Sequence, residues 1–87
     1  MQLENNRQLY DYLAAIGATL NARGAVELSR IVLAARRTAA GIPVTEFLGE
    51  SRIALQRVEH EQNVLTESER LELLDVLRQL DEAFSRR

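Results

Sequence analysis

His60 is the only imidazole in the chain, and it lies between Glu59 and Glu61, a trio whose side-chain types could bind a metal or relay a proton. Their spacing argues against both. Neighbours on a helix point about 100° apart, so the three side chains cannot converge on one ion, and His60 reads as a solvated surface residue. Glu72, Asp75, Gln79 and Glu82 recur at the spacing of one helix face, the pattern of a wetted surface rather than of a paired acid and base. Tyr10 and Tyr12 with Arg7 could stack on a planar ligand, but Tyr12 falls on an apolar stripe. There is no cysteine, and the chain contains no phosphate-cradling glycine loop, no H-E-x-x-H and no calcium-loop pattern. The expectation is a protein without enzymatic activity, metal or cofactor.

The elements that position these residues are helical. Of the 87 residues 46% are hydrophobic, and Leu and Ala far outnumber Val, Ile and the aromatics, a composition that favours helix over sheet. Breaks at Asn21 to Gly24, Gly41 to Pro43 and Asn63 to Thr66 divide the chain into helices expected at 6–22, 25–40, 44–62 and 66–84. An all-α, compact four-helix fold in a single domain, 1–87, follows. Leu9, Tyr12, Leu13, Ile16 and Leu20 form the stripe of the first helix, with Asn5 or Asn6 as its cap and Gly24 as its stop. Thr66-Glu67-Ser68-Glu69 matches the capping box that opens the fourth. The expected core is Leu13, Ile16, Leu20, Leu28, Val32, Leu55, Val58, Leu73, Leu77 and Leu80.

Charge is segregated along the chain although the net is only -2. Every basic residue is arginine. Residues 23–57 hold six arginines against three glutamates, whereas residues 58–85 hold eight carboxylates against Arg70 and Arg78. Such a dipole suits an anionic partner at the middle, a basic partner at the end, or a second copy. With no apolar run long enough to span a membrane and no basic leader before an apolar stretch, a cytoplasmic protein is expected.

The stretch Leu48-Gly49-Glu50-Ser51-Arg52-Ile53-Ala54-Leu55-Gln56-Arg57-Val58-Glu59 resembles the turn and recognition helix of Cro/repressor-type helix-turn-helix domains. Upstream, Leu33 to Ile42 is similar to the first helix of that motif and its terminating glycine. The resemblance covers residues 33–59. It implies a DNA-binding transcriptional regulator in which Ser51, Arg52 and Gln56 face base edges or phosphates, Leu55 and Val58 pack inward, and Arg36, Arg37 and Arg57 contact phosphates. The alternative is one uninterrupted helix from Val44 to Gln62 with Gly49 as an interior glycine, which buries Leu55 and Val58 equally well. The backbone of Leu48 to Ser51 separates the two readings.

Apart from the resemblance, the second helix is the expected interaction surface. Leu28, Ile31, Val32, Ala35 and Ala39 fill a core-facing arc, and Val26, Leu33 and Ala40 form a second stripe at seven-residue spacing, flanked by Arg30 and Arg37. Val76 on the fourth helix is the expected counterpart. The leading expectation is therefore a small regulatory protein-protein interaction module, of adaptor or anti-activator type, working as a homodimer or on another protein such as a transcriptional regulator. DNA binding through residues 33–59 is the alternative.

Overall fold

Asn5 adopts an extended backbone, and its side-chain oxygen accepts from the Gln8 amide at 3.0 Å, which opens α1 (Asn6–Ala22). The computed structural model describes residues 5–40, 44–61 and 63–85. Gly24 ends α1 in the left-handed region (φ 82°). There the Ala25 amide donates to the Leu20 carbonyl at 2.9 Å and the Gly24 amide to Asn21 at 3.1 Å, the paired bonds of a Schellman stop. α2 (Val26–Arg37), α3 (Val44–His60) and α4 (Glu67–Ser85) follow. The all-helical expectation is met, and no strand occurs among the described residues.

α2 ends three residues earlier than its periodicity predicts. The Thr38 hydroxyl donates to the Ala35 carbonyl at 2.6 Å, and the amides of Thr38, Ala39 and Ala40 each reach back three residues rather than four. The final turn is tightened, and helical repeat is lost before the Gly41 to Pro43 stop, which lies outside the described residues together with Gln62.

α4 opens as its capping box requires. The Glu69 amide donates to Thr66 Oγ1 at 3.2 Å, and the Thr66 amide donates to Glu69 Oε1 at 2.8 Å. Thr66→Ala is expected to destabilise the protein by about 0.5 to 2 kcal/mol in chemical denaturation.

All ten expected core residues are buried, joined by Leu9, Tyr12, Ala35, Phe47, Ala54 and Val76. Helices pack in chain order, α1 on α2, α2 on α3 and α3 on α4. α1 and α2 approach closely at Gly17, where a Cβ would stand only 2.8 Å from Leu33 Cδ2. Beside it the buried Ser29 hydroxyl donates to the Gly17 carbonyl at 2.8 Å. α3 and α4 are tied by Arg52 to Asp81 (2.6 Å) and Arg70 to Glu59 (3.3 Å). No helix among the described residues is long and apolar enough to cross a membrane.

The backbone of α4 stands farther from α1 than those of the sequential pairs stand from each other, although both helices contribute to the same core. A strap holds them: the Arg23 guanidinium donates to both oxygens of Glu69 and to the Val64 carbonyl. Arg23 and then the Thr66 amide hold the Glu69 carboxyl down to about 2. A folded-state value below the ordinary 4.5 means that stability is fully present above pH 4.5 and is lost as pH falls toward 2. In thermal melts, the advantage of wild type over Glu69→Gln is therefore expected to be greatest at pH 6 and to shrink toward zero near pH 2.

Candidate interaction surface

The expected surface on α2 is only partly present. Val26 is half exposed, Ala40 is exposed, and Arg30 and Arg37 point to solvent, Arg30 in an exposed pair with Glu27 at 3.2 Å. Leu33, however, is half-buried against Gly17 of α1. Val76 is 0% exposed, inside the chain's own core, which corrects its expected place on an interface. The reason is its register: Leu73, Val76, Leu77 and Leu80 form the inward stripe of α4, and the outward apolar residues are Leu71 and Leu74.

The DNA-contacting set does not assemble either. α3 runs through Leu48 to Ser51 without a turn, so the alternative with a continuous helix is the one observed. Phe47, Ser51, Ala54, Leu55 and Val58 share its buried face. Ser51 is 0% exposed and its hydroxyl has no hydrogen-bond partner among the described residues, so it faces the core and not a groove in DNA. Arg52 is held by Asp81 and lies 5.5 Å from the Phe84 ring. Arg36 stacks 3.6 Å above the Tyr10 ring and donates to the Tyr10 carbonyl at 3.0 Å. Gln56 is half-buried, which leaves Arg37 and Arg57 as the exposed members of the set without an ion pair. Because an unsatisfied buried hydroxyl is unfavourable and alanine is the better helix former, Ser51→Ala is expected to stabilise the protein by about 1 kcal/mol in urea denaturation.

The chemical candidates divide in the same way. His60 is exposed, and among the described residues no group of three His, Cys, Asp or Glu side chains could hold a metal. In the acidic row, Arg78 bonds both Asp75 (2.8 Å) and Glu82 (2.7 Å), and Gln79 donates to Asp75 at 3.0 Å. Arg78 lowers the Asp75 carboxyl below its ordinary range. Among the described residues, Glu72 has no hydrogen bond or ion pair.

Glu72 stands on the edge of a feature that the sequence did not suggest. Between α1 and the start of α4 lies a cleft of about 360 Å³. Tyr12, Ala15, Ile16 and Leu65 supply its apolar surface, and Asp11, Glu69 and Glu72 its acidic rim. Tyr12 is only 5% exposed, and its hydroxyl makes no hydrogen bond among the described residues. Burial first, and the nearby carboxylates of Glu72 and Glu69 second, push the Tyr12 phenol far up, so it stays protonated. The available sequence signal was small: Ala15 and Thr19 follow Tyr12 at helical spacing and leave its flank uncovered.

No protein-family model matches the chain, and no curated protein or solved structure matches it either.

Proposed function

We propose that the chain is a small non-enzymatic regulatory module, of adaptor or anti-activator type, that acts in the cytoplasm by binding another protein. The observation that carries this reading is the cleft between α1 and α4. The four helices pack in sequence as three pairs, and the return of α4 to α1 is bridged by the Arg23 to Glu69 strap, leaving Ala15 exposed and Leu65 half-buried beside Glu72. A concave apolar surface with a few polar groups on its edge is the usual form of a recognition site, and helix-in-groove docking suits a channel between two helices. The exposed residues Val26, Arg37 and Ala40 offer a second, smaller contact through which two copies associate. DNA is a poor ligand on charge grounds, since the net is -2 and most arginines are engaged internally.

Native co-purification from the source cells tests the reading. One protein should accompany wild type and Glu46→Arg in fixed stoichiometry and be lost from Ala15→Arg, which fills the cleft. Retention of the same partner by Ala15→Arg would remove the cleft from the account.

A further inference from the structure

The chemistry of the partner follows from the charges that the fold leaves unsatisfied, and this inference rests on the interaction-module reading. Among the described residues, Glu46, Glu50, Glu61, Glu67 and Glu72 have no ion pair, against Arg36, Arg37 and Arg57, of which Arg36 is held on Tyr10. A second copy would bring the same negative excess to the cleft. A basic partner would not.

The cleft itself agrees. Glu72 is exposed and has no ion pair among the described residues. Asp11 holds Arg7 at 3.3 Å, but both side chains are largely in water, so the pair is weak and Asp11 can exchange it for a better-placed cation. Glu69 is already held by Arg23 and contributes field rather than a free carboxylate. Tyr12, only 5% exposed, lines the same cleft, and its hydroxyl has no hydrogen-bond partner among the described residues. Its oxygen can accept a hydrogen bond from an incoming N–H.

Length decides between a small cation and a polypeptide. The cleft follows α1 from Gln8 to Thr19, which at 1.5 Å per residue is about 16 Å, or about three turns of a docked helix. Its lining between the carboxylates is apolar, so a simple polyamine would leave Ala15 and Leu65 uncovered.

We propose that the cleft between α1 and α4 takes a basic amphipathic helix from a partner protein, with its apolar side chains on Ala15, Leu65 and the exposed edges of Tyr12 and Ile16 and its Lys or Arg side chains on Asp11 and Glu72. The phenol oxygen of Tyr12 receives one N–H of a basic side chain, and the docked helix covers Ala15 and Leu65.

A display library of helical 14-residue peptides, randomised at apolar and polar positions and selected on the full chain, tests this. The expected binders carry apolar residues at i, i+3 or i+4 and i+7 with Lys and Arg in excess of Asp and Glu. Their affinity should fall about tenfold or more on Asp11→Arg with Glu72→Arg, change less than about twofold on Glu46→Arg with Glu61→Arg, where the charge lies away from the cleft, and weaken with salt. All four positions are surface carboxylates, and circular dichroism confirms that each variant is folded. Neutral or acidic helices that Ala15→Arg displaces would overturn the basic partner while leaving the interaction module standing. If no selected helix is sensitive to Ala15→Arg, both fall. Spermidine binding that competes with the selected peptides at equal concentration, or a dimer of this chain dissolved by Asp11→Arg with Glu72→Arg, would replace the basic helix with a small cation or a second copy and overturn the proposal.

Discussion

Val76→Asp is expected to unfold the protein, while Val26→Asp changes its stability by no more than about 0.5 kcal/mol. Both valines are outlying members of apolar patterns, and one-dimensional spacing assigns them the same role. Their surroundings are opposite: Val76 is 0% exposed and Val26 is 50% exposed. A carboxylate placed at Val76 would be buried without a cation, at a cost of several kcal/mol. A domain of this length has about 4 to 13 kcal/mol in total, so little or no folded population should survive. Far-UV circular dichroism with thermal melting distinguishes the pair. A folded Val76→Asp variant that had merely lost self-association would return Val76 to an interface.

The second large effect compares neighbours on α4. Leu73→Ala is expected to cost about 2 to 5 kcal/mol, since the side chain is fully buried and its removal leaves a cavity. Leu71→Ala, two residues away and 61% exposed, should fall within about 0.5 kcal/mol of wild type. Urea denaturation measures both. Equal losses would mean that α4 presents a different face to the core.

Local chemistry was legible in the sequence, and the relation between distant elements was not. The Thr66 to Glu69 capping box and the Gly24 stop are decided within five residues, and both appear at the expected positions. Core residues were legible because one helical stripe per segment is enough to choose Leu13, Leu55 or Leu73. α4 carries more apolar residues than one stripe holds, so periodicity alone did not show that Val76 turns inward while Leu71 and Leu74 turn outward. The end of α2 was placed late because Thr38 offered its hydroxyl to Ala35, a competition that apolar spacing does not register. Gly49 resembled a turn residue, yet it sits within α3, where a Cβ would meet Phe84 Cζ at an ordinary 3.8 Å. The buried face from Phe47 to Val58 outweighs the single glycine.

The candidate site was the least legible part. Its walls come from residues 8–19 and 65–72, and nothing in either segment states that the other lies opposite. Arg23 and Glu69 are 46 positions apart, so the strap that sets the width of the cleft has no local signature. The same holds for Arg36, which the resemblance assigns to phosphate but which stacks on Tyr10 of α1.

Site-specific photocrosslinking in the source cells tests the central claim most directly, with a benzophenone amino acid placed in turn at Ala15, Thr19, Val26, Arg37, Ile53 and Leu74. The account predicts that Ala15 and Thr19 give a discrete adduct with one other protein, and that Ile53 and Leu74 give none. Adducts confined to Ile53 and Leu74, or adducts of Arg37 with DNA, would contradict it.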